Sequence, residues 1–142
     1  MSIFEASPWS SRMLSVLRIV TGFVFMSVGT MKLFNVPASG MPGFPVHLLS
    51  ELGLAATLET FGGLAIVLGL CTRPVAFVLS GEMAVAYFQM HFPRGFFPGI
   101  NGGMPAVLFC FLYLYLSVAG GGSWSVDTWL RARRAAPTVR DR

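Results

Sequence analysis

LSVLRIVTGFVFMSVGTMKLF, Leu14 to Phe34, names the solvent this chain folds in. A helix needs about 20 mostly apolar residues to cross a ~30 Å hydrocarbon core. Counted from Arg12, this run supplies them. It is too long for the apolar centre of a signal peptide, and NVPASGMPGFP, Asn35 to Pro45, is a poor small-residue cleavage site. We therefore read a retained helix over about 12–34. Working outward, Pro37, Gly40, Pro42, Gly43 and Pro45 break the chain before a second run at about 48–70. Cys71-Thr72-Arg73-Pro74 is a tight turn, with Pro74 placed to open a third run over 74–92. The segment from Pro93 to Gly103 is rich in breakers and aromatics, and a fourth run, 104–119, ends at Gly120-Gly121-Gly122. Trp124 and Trp129 suit an interfacial belt, ahead of a basic tail over 130–142.

Composition agrees with that solvent. Of 142 residues, 54% are hydrophobic and only 11% charged, and the mean hydropathy is +0.68. Soluble domains carry about a quarter charged residues, because charge covers their surface. A soluble enzyme, a disordered tail and a nucleic-acid reader are therefore set aside. The net charge of +4 does not reverse this, since five of the ten basic residues lie at or beyond Arg131, where an anionic leaflet would meet them. Cys71 and Cys110 are far apart and lack metal-ligand spacing, so no disulfide, zinc site or iron–sulfur cluster is expected. Four crossings put both termini on one side. That side collects Arg12, Arg73 and the tail arginines against Lys32 and Arg94 opposite, which the positive-inside rule makes cytoplasmic. The expectation is one all-α domain over 1–142: an integral inner-membrane four-helix bundle with short loops and both termini in the cytoplasm.

Charges inside such runs are costly, about 2.5–3.5 kcal/mol each near the bilayer centre. Arg18, Glu59 and Glu82 fall inside them, with Lys32 near an end. Arg18, Gly22, Phe25, Gly29 and Lys32 share one helical stripe, and Glu51, Ala55, Glu59, Gly62, Ile66, Gly69 and Arg73 share another. Small residues on both stripes allow close approach. Depths counted along the helices suggest two pairs, Arg18 with Glu82 and Lys32 with Glu59. Such pairs either fix the register of a tight bundle or mark a proton, quinone or substrate pocket. His91, Arg94 and Asn101 cluster in one loop with Phe92, Phe96 and Phe97, which suits either lipid headgroups or the head of an amphiphilic ring. The candidate ligand-binding residues are Lys32, Glu59, His91, Arg94 and Asn101, and the catalytic candidates are His91 and Glu59. No haem, flavin, metal or phosphate-loop motif is present.

Several strings occur in a specific order: Arg18-Ile19-Val20-Thr21-Gly22, Gly29-Thr30-Met31-Lys32-Leu33-Phe34, Leu58-Glu59-Thr60-Phe61-Gly62-Gly63 and Leu68 to Ala76. Gly81-Glu82-Met83-Ala84-Val85-Ala86-Tyr87-Phe88 through His91-Phe92-Pro93-Arg94 to Asn101-Gly102-Gly103 follows, and then Asp127. In these the chain resembles the DoxX family of small four-helix membrane proteins, from roughly Leu14 to Asp127. One departure is Met104, where the family pattern usually has an acidic residue after Asn-Gly-Gly. The resemblance implies a membrane subunit associated with a redox complex, quinone-linked or concerned with oxidative stress, with a soluble oxidoreductase or a second copy as partner. A non-enzymatic scaffold or maturation factor is the alternative, and a small carrier for protons or a small molecule the third.

Overall fold

The computed structural model describes residues 8–38, 40 and 45–135. Among them every regular element is helical. Helix α1, Pro8–Phe34, starts with a proline that has no N–H to leave unpaired, and it ends where Asn35 turns left-handed. Helix α2 spans Glu51–Leu68. Ser50 caps its start by accepting the Gly53 N–H at 3.0 Å. Its end is a Schellman motif: Gly69 sits at φ 69°, its N–H reaches the Ile66 carbonyl, and the Leu70 N–H reaches the Ala65 carbonyl. Within α2, Leu58–Gly62 is wound as a π-helix.

Helix α3, Thr72–Ala86, continues through a π segment, Tyr87–His91, and a 3-10 turn, Phe92–Arg94. A short helix α4, Pro98–Asn101, interrupts the following loop. Helix α5 is Met104–Ala119, with the bounds expected from its hydropathy. Helix α6, Val126–Ala135, carries Asp127 in its first turn and Arg133 and Arg134 in its last, matching the helix dipole at both ends. Four features differ from the sequence expectation. Helix α1 starts at Pro8 rather than near 12, and α2 spans Glu51–Leu68 rather than 48–70. The third helix starts at Thr72 rather than Pro74, because Asp127 supplies a cap to the turn. The segment after Gly122 is a helix, where only a tail was expected.

Helix α1 packs along α2, and α3 packs chiefly along α5. Backbone contact in the first pair needs glycine: a Cβ on Gly29 would lie 2.5 Å from the Thr60 nitrogen, and one on Gly63 would lie 2.7 Å from the Met26 nitrogen. In the second pair the Ser80 hydroxyl donates to the Cys110 carbonyl at 2.8 Å. Phe25, Ile66, Leu79, Tyr113 and Leu116 form the shared interior, with Phe25 edge-on to Tyr113. The outside is apolar as well. Val20, Phe23, Phe77, Val85, Leu108 and Phe111 all face outward. A soluble protein rarely exposes so continuous an apolar surface. Two helices, Trp9–Phe34 and Glu51–Leu68, are long and apolar enough to cross a membrane, and Met104–Ala119 is apolar but shorter.

Candidate functional site

Three ionisable groups meet in the interior. Lys32, in the last turn of α1, places Nζ 2.5 Å from Oε1 of Glu59. Glu59 is buried and lies in the π segment of α2. Such segments are uncommon and recur at functional sites, because the extra residue per turn re-aims a side chain. The second Glu59 oxygen, Oε2, is buried and accepts no hydrogen bond among the described residues. Both carboxylate oxygens of Glu82, from α3, are likewise buried without a partner among them. Glu82 lies within electrostatic reach of Glu59 and Lys32. Tyr113, fully buried on α5, faces both carboxylates electrostatically while its hydroxyl donates to the Thr21 carbonyl at 3.4 Å. Lys32 and Glu59 thus join α1 to α2, and Glu82 of α3 and Tyr113 of α5 lie within electrostatic reach of the pair.

Arg18 is not part of this cluster, and the expected Arg18–Glu82 pair is corrected. The fully buried guanidinium donates instead to four backbone carbonyls: Gly121 at 2.8 Å, Val67 at 2.6 Å, Trp124 at 2.6 Å, and Ile66. The physical reason is the pairing of helices. Arg18 rides on α1 against the end of α2, where the last-turn carbonyls lack helical partners and carry the negative end of the dipole. Glu82 belongs to the other pair. Counting depth along each helix put the two at one level without fixing which way either faced.

Asp127 completes that end. Its carboxylate accepts the Cys71 and Thr72 N–H groups at 2.8 Å each, capping α3 from a distant part of the chain. Burial pushes its acidity toward the neutral form. The Thr72 and Cys71 N–H groups, with Arg131 nearby, outweigh this and hold its carboxyl below the usual range.

The loop candidates form a second, separate group. Asn101 is buried; its Oδ1 accepts the Gly103 N–H at 2.7 Å, and its Nδ2 donates to the Gly95 carbonyl at 2.7 Å and to Tyr87 Oη at 3.4 Å. The Tyr87 hydroxyl donates to the Phe96 carbonyl, and His91 Nδ1 lies 3.2 Å from the Asn101 carbonyl oxygen. The Asn101 carboxamide is therefore occupied in folding its own loop. Arg94, Phe96 and Phe97 are exposed on the rim. Among the described residues no hydrogen bond or ion pair joins His91, Arg94 or Asn101 to Lys32 or Glu59. Tyr87 and Tyr113 were not singled out from the sequence, although each stands in an apolar run where a buried hydroxyl must find a partner.

The family model described as DoxX matches residues 13–92. The chain belongs to the DoxX family. An uncharacterized protein of Haemophilus influenzae is 40% identical over 122 residues, covering 80% of this chain and 87% of its own. The inner membrane protein YqjF of Escherichia coli is 30% identical over 127 residues, covering 83% of this chain and 92% of its own. No solved structure matches. The DoxX match takes in α1, α2 and α3 with its π segment, and so includes Lys32, Glu59, Glu82 and His91. It ends before Asn101, Met104 and Asp127. As a DoxX chain this is a helical membrane protein, and its charged interior lies in the matched part.

Proposed function

We propose that this chain is a four-pass inner-membrane bundle with both termini in the cytoplasm, serving as the membrane subunit of a quinone-linked redox system. The observation that carries the reading is the Lys32–Glu59–Glu82 cluster, in which Lys32 pairs with Glu59, Glu82 lies within electrostatic reach of both, and three carboxyl oxygens have no donor among the described residues. Buried polar groups without partners are rare and call for a reason. A quinone-type head fits the donor set: Lys32 can donate to a carbonyl oxygen, and the free oxygens of Glu82 and Glu59 can accept from a hydroxyl. When bound, a quinone supplies the electron-accepting chemistry. The chain's residues bind the head, exclude water and hold or pass protons at Glu82 and Glu59. Electrons come from a soluble oxidoreductase partner. The inner-membrane location follows YqjF, and the orientation follows the arginine distribution.

The test is calorimetric titration of the purified protein with a soluble ubiquinone analogue, alongside mass spectrometry of co-purifying quinone. Glu82→Gln and Lys32→Met should weaken binding at unchanged protein level, and Arg94→Ala should not. If both interior variants bind as the unaltered protein does, or if that protein takes up no quinone, the scaffold reading replaces this one. A specific observation supports that alternative: Arg18 and Asn101 devote all their described hydrogen bonds to tying the chain to itself.

A further inference from the structure

A cleft of about 450 Å³ opens at the end of the molecule opposite the His91 loop. That volume lies within the roughly 300–1,000 Å³ of small-ligand sites. The first turns of α1 and α3, the last turn of α5 with the glycine loop after it, and the first half of α6 surround it. Ser11, Arg73, Tyr115, Thr128 and Arg131 line it, with Leu14 below. Its two charged side chains are both arginines, and neither makes a hydrogen bond or ion pair among the described residues. Asp127 is near enough to attract Arg131, but its oxygens are turned to the Cys71 and Thr72 N–H groups.

The floor is built rather than incidental. Arg18 holds the Gly121 carbonyl, while Ser125 and Thr128 hydroxyls hold that of Gly122. Gly120, at φ 87°, turns the loop so that the Arg73 guanidinium lies beside it, within ordinary contact of where a Cβ would stand. Exposed Trp9 and Trp124 stand at this same end, and Tyr115 carries the cleft down onto the apolar outer face of α5. Tryptophans of this kind sit at headgroup level.

We infer that this cleft binds the phosphate of an anionic phospholipid, with Arg73 and Arg131 on the headgroup and the acyl chains laid along Leu14 and Tyr115. A free phosphate ion would share the arginine chemistry without using the apolar slope. The site is separate from the interior carboxylates and stands whether or not those bind a quinone.

The full chain, purified in neutral detergent, is titrated with dioleoyl phosphatidylglycerol and separately with dioleoyl phosphatidylcholine, and retained lipid is counted by native mass spectrometry. Phosphatidylglycerol should be retained preferentially. Each of Arg73→Gln and Arg131→Gln should weaken that retention about fivefold, and the double variant about thirtyfold. Arg133→Gln removes the same charge from a guanidinium stacked 3.8 Å over Trp129, outside the cleft, and should leave retention unchanged. Equal retention of the two lipids overturns the proposal. So does an equal loss in Arg133→Gln, which would mean surface charge alone. Displacement of phosphatidylglycerol by millimolar inorganic phosphate would make this a phosphate site and overturn the lipid assignment.

Discussion

Replacing Arg18 with methionine keeps the apolar stem and removes the whole guanidinium fork. Of its four acceptors, the Ile66 carbonyl retains the Gly69 N–H at 3.0 Å. The carbonyls of Val67, Gly121 and Trp124 lose the donor that the structure gives them. A buried carbonyl left unpaired costs about 1–3 kcal/mol. One of the three bonds is buried and two are part-buried, so together, less the desolvation cost that a neutral side chain no longer carries, they give an expected loss of about 2–4 kcal/mol. That is a large fraction of the roughly 5–15 kcal/mol that holds a domain folded. Thermal unfolding in detergent, followed by circular dichroism, reads it directly. Arg18→Lys should recover only part of the loss, because an ammonium is a point donor and cannot span acceptors on two elements. The decisive comparison is with Glu82. Since Arg18 and Glu82 sit on different helix pairs, Arg18→Met and Glu82→Gln should add to within about 0.5 kcal/mol. A coupling above about 1 kcal/mol, or an Arg18→Met protein as stable as the unaltered one, would refute the carbonyl network.

Asp127→Asn leaves one acceptor oxygen where the carboxylate uses two, and should lower the unfolding temperature at neutral pH by the equivalent of about 1 kcal/mol. Because the folded carboxyl is held below its ordinary value, its contribution is present above about pH 4 and lost as pH falls through the folded value; the gap between the two proteins should therefore narrow steadily in acid, and a constant gap would contradict the cap. Gly29→Ala should destabilise by about 1–3 kcal/mol through overlap with Thr60 and Ala56 backbone. Gly81→Ala, with open space around its Cα, should stabilise by up to about 1 kcal/mol, so the same melting assay should give opposite signs. In a Cys71→Ser, Cys110→Ser background, an impermeant maleimide should label Phe97→Cys in intact cells and Arg134→Cys only after permeabilisation; the reverse pattern would invert the orientation.

The helices were legible because apolar length and breakers are local signals. Gly120 ends α5 where the composition says it should, and the bounds of α5 follow from Met104 and Ala119 alone, whereas Gly69 ends α2 inside a run read as reaching 70. The glycine stripe of the first helix also carried real information, since Gly22 and Gly29 sit where α1 meets the backbone of α2; on the second helix that contact falls to Gly63, one position off the stripe, while Gly62 faces Leu79. Partner choice was less accessible. The Lys32–Glu59 contact joins neighbouring helices whose stripes were both visible, so spacing and sign sufficed to suggest it. Arg18 defeated the same reasoning because its acceptors are backbone carbonyls, which have no letter in a sequence. Asp127 was equally hidden: it acts on Thr72 and Cys71, more than fifty positions away, through a helix that hydropathy could not register.

The ends of the molecule and its charged interior treat buried polarity in different ways, and on the function proposed above the difference marks where the chemistry belongs. Around Arg18 the positive charge meets four carbonyls, and the neighbouring carboxylate meets two N–H groups. Asn101 does the same with a neutral amide in its loop. These networks are closed, and a closed network rigidifies its surroundings. At Lys32, Glu59 and Glu82 the count does not close, because one ammonium cannot serve four carboxyl oxygens. A scaffold has no use for such a deficit, since an apolar residue at Glu82 would pack at lower cost than a lone carboxyl. A site that takes up a proton, or a hydroxyl from a ligand, needs that open acceptor. The rigid ends then have a mechanical role, holding α1 against α2 and α3 against α5 so that the three side chains keep their mutual geometry. Glu82→Leu separates the two views: a gain in melting temperature together with loss of quinone uptake would mark a functional carboxyl, whereas a gain with uptake intact would leave the acceptor without a purpose.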